Sequence, residues 1–443
     1  MAAPLEKVPG KAWVVTFAGT AVNLCLGILY AWSVWGGALT VPKLPDGHFN
    51  EALVGTAMPG INAAWSYLSN AQAATPFSLC VIIFALLMIP GGRIQDRFGP
   101  KVGATIGGIF LAAGCILAGV MKSYLGLLIG FGIMGGIGMG IGYAAPTPAA
   151  LKWFGPHRRG LIAGLVVGGY GGAALYIAPL AKWLITNYGI SGSFIILGIV
   201  FAIVIIIAGQ LLAWPPEGYV PPAPAAAKAG AQAKAALTTV DWVASDMVKT
   251  WQYYALVALF IGSTQSGLLI IAFAAPLAAP LLGAAAWILV SYGGLINALG
   301  RVGTGLYSDR IGRANAFTIN CIISAICLFA MPTIIASKSV LLLFVAVGIA
   351  YWQYGGGLAL LPSYTADFFG PKNLGFNYGL VFLGWGLGFF MARLGGTIRD
   401  MTGNLDWAFY LSGLVLVIAV ILARIAKRPS VEAQKAPEPV RSK

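Results

Sequence analysis

The chain has 443 residues, of which 59% are hydrophobic and only 9% charged, with 27 Lys+Arg against 13 Asp+Glu. Average soluble domains carry roughly 25% charged residues, so a water-soluble fold of this size could not cover its surface; disorder, collagen and a disulfide scaffold are excluded as well. A mean hydropathy of +0.85 indicates instead a polytopic membrane protein.

A span needs about 20 mostly apolar residues. Twelve stretches qualify: 13–38, 73–91, 102–121, 124–150, 160–182, 190–213, 252–282, 285–307, 314–335, 339–365, 374–397 and 405–425. The first is too long for a signal-peptide core and reads as a retained span. Residues 39–72 form a long polar connection after it, either a cap on the outer vestibule or a contact for a partner. Residues 214–250 are rich in Pro, Ala and Lys and suit a semi-flexible linker. The expected layout is an all-α membrane protein: residues 1–213 as one six-helix half, 214–250 as cytoplasmic linker, 251–425 as the second half and 426–443 as a cytoplasmic tail.

A net charge of +14 would fit nucleic acid, but the charges fall between apolar runs, where they mark topology and lipid headgroups. With the N-terminus inside, inner segments hold 20 Lys and Arg, outer segments 6, and Arg301 is left within a span. This bias predicts both termini in the cytoplasm; the expected location is the plasma membrane. Cys25, Cys80, Cys115, Cys321 and Cys327 form no CxxC pair, so no metal or disulfide framework is expected.

The chain repeats itself. Gly92-Arg-Ile-Gln-Asp96-Arg97-Phe-Gly99-Pro-Lys101 follows the second span and Gly305-Leu-Tyr-Ser-Asp309-Arg310-Ile-Gly312-Arg313 the eighth, with the aspartates 213 residues apart. Phe154-Gly155-Pro156 and Phe369-Gly370-Pro371 stand 215 apart. Two matches at nearly one offset imply two pseudo-symmetric six-helix halves, an arrangement known in transporters that bind cargo between the halves near mid-membrane. Glycine in these loops permits a tight turn and close helix approach. Asp96 and Asp309 are suited to accept from helix N-termini or to pair with Arg, as a cytoplasmic gate.

The two loops resemble the signature loop of the major facilitator superfamily, and the resemblance covers essentially the whole chain. Trp153-Phe154, Arg158-Arg159-Gly160-Leu161-Ile162-Ala163-Gly164 and Gly168-Gly169-Tyr170-Gly171 further resemble the loop and fifth helix of bacterial oxalate/formate exchangers and of monocarboxylate transporters. Asn377-Tyr378-Gly379 and Leu361-Pro362-Ser363 with Asp367-Phe368-Phe369-Gly370 are similar to the exchangers.

Arg301 is a charge inside a span, about 12 Å along its helix from Asp309 at ~1.5 Å per residue. Burying it costs about 2.5–3.5 kcal/mol on insertion scales, and such residues are functional by default. The alternative is a side chain that snorkels to the inner surface or pairs with Asp309. At the 213 offset its counterpart is Met88, so the repeat itself requires no charge here. An Arg fork suits a carboxylate, and no Asp or Glu in mid-span neutralises it. Asn297, at i−4, shares its helical face. The resemblance implies that Arg301 is the substrate-binding Arg of these families. Animal monocarboxylate transporters carry an Asp where Asn297 stands, which puts a proton-switching Asp–Arg pair in doubt. The exchangers carry a second cation where Trp385 stands and a polar residue where Leu29 stands. One cation instead of two favours a monoanion over a dianion. The same resemblance makes Tyr30, Tyr143, Tyr170, Tyr354, Phe382 and Trp385 cavity aromatics.

Arg393, Arg399 and Asp400 read as headgroup contacts ahead of an outer gate pair. Asn23, Asn62, Gln265 and Gln353 either line the path or bond between helices. No Walker motif, H-E-x-x-H or Ser/His/Asp cluster is present, so an enzyme is not expected. The expected protein is a monomeric secondary carrier of a small monocarboxylate of lactate, pyruvate, acetate or formate type, proton-coupled and working by alternating access. It needs no cofactor and has no nucleic-acid partner. The alternative is a carboxylate exchanger of oxalate/formate type.

Overall fold

The computed structural model describes residues 8–42, 44, 49–154, 159–219, 241–370 and 373–429, and within these not the side chains of residues 159–161, 309, 374 and 375. Inside lipid the backbone cannot bond to water, so each crossing segment must pair its own amides, which a helix does. The first half begins with α1 (Gly10–Leu39), α2 (Asn70–Phe98), α3 (Pro100–Met121) and α4 (Tyr124–Leu151). The next apolar stretch, Ile162–Leu211, is two helices meeting at Gly189, whose φ of 72° breaks the ladder. We number them α5 (159–188) and α6 (190–211). Asn62 marks the break, because its Oδ1 accepts from the Ile190 amide at 2.8 Å.

The second half contains α7 (Trp251–Ala285), α8 (Trp287–Ile311), α9 (Arg313–Ala336), α10 (Val340–Phe369), α11 (Phe376–Thr402) and α12 (Asp406–Ile425). The twelve crossings are those expected. Their even number puts Gly10, Leu211, Trp251 and Ile425 on one face, here called the terminal face. Large apolar side chains such as Phe17, Ile109, Ile207, Leu341 and Ile418 project outward, as a surface against lipid requires.

The two signature loops need correction. Gly92 to Arg97 is not loop but the end of α2, and Gly305 to Arg310 is the end of α8. Only Gly99 (φ 91°) and Gly312 (φ 88°) make the turn, in backbone conformations that other residues avoid. The close helix approach expected of these glycines is absent at Gly92 and Gly305, where an added Cβ would meet nothing within 4 Å. Asp96 accepts from Gln95 beside it, Arg97 stacks on Phe98, and Arg310 is exposed. The Asp309 side chain lies outside the described residues.

The ends of the linker are anchored at repeat-related corners of the terminal face. Tyr219 donates to the Trp153 carbonyl at 2.9 Å, beside Phe154. The Trp242 amide donates to the Phe369 carbonyl at 2.9 Å, and the Trp242 carbonyl accepts from Asn373 and Asn377 at 2.9 and 3.0 Å. The Asn of the Asn-Tyr-Gly motif thus holds the linker. Asn23, Gln265 and Gln353 bond between helices, to Val166, Ser412 and Ser263 respectively.

On the opposite face, the connection after α1 is folded down. Trp65 is buried and donates to Ser191 at 2.9 Å, while Arg399 lies 4.8 Å over the Phe49 ring. The connection therefore touches both halves. The headgroup role expected for Arg399 and Asp400 is not what they do: both bond to Asn70 at the start of α2.

Candidate functional site

Midway along the bundle several helices lose their regularity. In α1 the segment Gly27–Ala31 is 3-10, and it presents Tyr30. In α4, Leu127–Gly135 is π-helical, and Tyr143 ends the α-helical segment that follows. The helix in α5 pauses at Ala173, just after Tyr170. α11 is three pieces with breaks at Phe382 and Gly388, so Phe382 sits at one break and Trp385 on the short piece between the two. Such interruptions persist at membrane depth only where protein or a wet cavity satisfies the freed groups, and they gather at functional sites.

These breaks surround Arg301, which rides on the continuous helix α8 and is 3% exposed. It does not snorkel. Its Nε donates to Asn297 Oδ1 at 3.3 Å, Nη1 to the Val167 carbonyl at 2.9 Å and Nη2 to the Tyr30 hydroxyl at 3.1 Å. None of these partners is a carboxylate. Val167 and Tyr30 belong to the first half and Arg301 to the second, so the guanidinium ties the halves together.

From Tyr30 the network continues. Its hydroxyl lies 2.9 Å from that of Tyr354, which accepts from Trp385 Nε1 at 2.8 Å. Arg301 and Trp385 both donate into this phenol pair. The two phenols own two hydrogens but share one bond, so one O–H remains to donate. Asn297 Nδ2 is buried without a partner, and two guanidinium N–H groups remain beyond the three bonds above. What this site has to spare is donors, which suit an incoming hydrogen-bond acceptor.

Aromatic rings close the site. Tyr170 lies edge-on to Tyr30 and to Tyr143, each at 5.1 Å, and Phe382 stacks on Trp385 at 5.0 Å. Among them sits Phe84 of α2, 4.8 Å from Trp385 and 5.4 Å from Tyr143. All eight residues expected at the site are therefore in one cluster: Arg301, Asn297, Tyr30, Tyr143, Tyr170, Tyr354, Phe382 and Trp385. The signature residues Gly92, Asp96, Arg97, Gly99, Gly305, Arg310 and Gly312 lie apart from it, toward the terminal face.

Three contributors went unread in the sequence. Phe84 is the 213-residue mate of Asn297, so the repeat carried its signal. Gly171 leaves the space that Arg301 fills: a Cβ there would stand 2.9 Å from Arg301 Nε. Val167 contributes a main-chain carbonyl, which side-chain identity does not reveal. The repeat also relates Tyr170 to Trp385 at the 215 offset, two rings now found in the same cage.

Residues 47–359 match the profile of the Major Facilitator Superfamily. The oxalate:formate antiporter of Oxalobacter formigenes is 30% identical, over 82% of this chain and 87% of the antiporter. An uncharacterized MFS-type transporter, YhjX of Escherichia coli, is 27% identical over 85% of each chain. Monocarboxylate transporter 11 of Mus musculus is 29% identical over 43% of this chain and 38% of its own length. The fold is that of the xylose transporter XylE from E. coli in a partially occluded inward-open conformation. The TM-score is 0.66, with 97% of this chain and all of the other covered, at 13% identity.

Proposed function

The chain belongs to the major facilitator superfamily of membrane transporters, and from that premise we propose that it is a secondary carrier for a small monocarboxylate, working by alternating access of its two halves. The observation that carries this reading is Arg301, a buried guanidinium between the halves with no carboxylate among its partners. A carboxylate entering there takes the fork bidentately. The unpaired Asn297 amide and the spare phenol hydrogen can bond to the same anion or to a carbonyl or hydroxyl next to it. The rest of the cage is aromatic, which suits a short apolar tail.

Trp385 supports one negative charge over two. Its indole N–H is already committed to Tyr354, and no second cation is among the residues of the cluster. Lactate, pyruvate, acetate and formate fit this chemistry. With the positive-inside bias as guide, the terminal face is the cytoplasmic one. The proton that accompanies net uptake travels with the cargo or along the Tyr30–Tyr354 hydroxyls.

A second reading, anion exchange, is favoured by the 30% identity to the oxalate:formate antiporter. Purified protein in liposomes decides between them. Labelled lactate or formate should enter empty vesicles under an inward pH gradient; entry that requires preloaded unlabelled anion indicates exchange. Uptake unchanged in both Arg301→Ala and Arg301→Lys rejects the role given to the arginine.

A further inference from the structure

Away from the cargo site, the two halves are also joined at the outer face, where α2 begins. Ser69 caps this helix with a capping box: its Oγ accepts from the Gln72 amide at 3.1 Å, and Gln72 Oε1 accepts from the Ser69 amide at 3.0 Å. That leaves the amides of Asn70 and Ala71, which no residue of the first turn satisfies. Both are taken by Asp400 at the end of α11, in the other half. Asp400 Oδ1 accepts from the Asn70 amide and from Asn70 Nδ2, each at 3.0 Å, and Oδ2 accepts from the Ala71 amide at 2.9 Å. Arg399 then donates to Asn70 Oδ1 at 3.1 Å, with its guanidinium over the rings of Phe49 and Phe273 at 4.8 and 5.7 Å. Asn70 is 2% exposed.

We propose that Asp400, Arg399 and Asn70 form the clasp that holds the outer gate shut. α2 begins at this face and α11 ends there, one in each half, so any outward opening between these two helices must break these bonds. A carboxylate on main-chain amides at a helix start is favoured by charge and by geometry together. The amides and the carboxylate can be hydrated once apart, so the clasp is releasable, unlike a bond buried in lipid. It is also one-sided. At the 215 offset Asp400 corresponds to Ile185 of α5, and at the 213 offset Asn70 corresponds to Gly283, which bears no side chain. The pseudo-symmetric contact between α5 and α8 therefore lacks the clasp, and outer closure is governed at the α2–α11 seam.

The inference rests on the alternating-access reading but not on the choice of cargo, and its test uses no cargo. Cysteines at Ala64, in the connection after α1, and at Ala284, at the outer end of α7, both exposed and in opposite halves, carry spin labels in the full-length protein in lipid nanodiscs. Cys327, half-buried, is replaced by Ser. Pulsed dipolar spectroscopy should give mainly a short distance for the parent. Asp400→Asn, which turns one acceptor into a donor facing amides, should raise the ratio of long to short distances about tenfold. Asp400→Glu, keeping the carboxylate, should bring much of the short population back, and Asn70→Ala should lie between. A distance distribution in Asp400→Asn identical to that of the parent overturns the clasp. Should Asp400→Asn fail to fold, unchanged distributions in both Asn70→Ala and Arg399→Gln overturn it equally. Failure of the monocarboxylate reading would appear elsewhere, as absent lactate and formate uptake with the distances intact.

Discussion

Arg301 holds its surroundings through three kinds of acceptor: an amide, a main-chain carbonyl and a phenol. Substitutions there can therefore separate charge from geometry. Lysine keeps the charge but offers a point donor on a flexible stem in place of a planar fork. Arg301→Lys should lower initial uptake of labelled monocarboxylate about 100-fold, the loss expected from two charge-assisted hydrogen bonds. Tyr30→Phe leaves the guanidinium and removes one acceptor together with the link to Tyr354. Uptake kinetics should show the half-saturating concentration rising about tenfold with little change in the maximal rate. Gly171→Ala is a third probe. The new methyl would stand 2.9 Å from Arg301 Nε, the far part of a long side chain that can swing away. The arginine then leaves Val167, and the expected result is altered affinity with an unchanged melting temperature in detergent.

At the level of elements, the breaks in the helices do more than admit side chains. The Gly189 break turns α5 into α6, and it persists because Asn62 in the connection after α1 takes the freed Ile190 amide. Asn62→Ala should cost about 1 kcal/mol, as loss of a helix cap does, seen as a lower melting temperature with lactate affinity unchanged. Most of the helices were legible in the sequence, because apolar length alone marks a crossing. The break points were not. A 3-10 turn at Gly27–Ala31 or a π-helical stretch at Leu127–Gly135 follows from packing against neighbours, and Gly-rich apolar segments look alike whether straight or broken. The boundary error at the signature loops has the same origin. Gly92 and Gly305 read as loop residues, yet α2 and α8 run through them to the turns at Gly99 and Gly312. The cage aromatics were legible through family resemblance. Phe84, by contrast, looks like any apolar residue of α2 until the repeat pairs it with Asn297.

For the whole molecule, the reading makes a topological demand. If the terminal face is cytoplasmic, a cysteine at Asn315, exposed where α9 begins, should react with an impermeant maleimide only in inverted vesicles. A cysteine at Ala64 should react only in right-side-out cells or spheroplasts. The reverse pattern would turn the carrier over. The central arginine has a consequence for the transport cycle too. Its guanidinium is already accommodated by the chain itself, from both halves at once, with two N–H groups left over. On the proposed reading, the side chain that greets the passenger is also the rivet between the two halves, and any parting of the halves at that depth must first undo its bonds to Val167 and Tyr30.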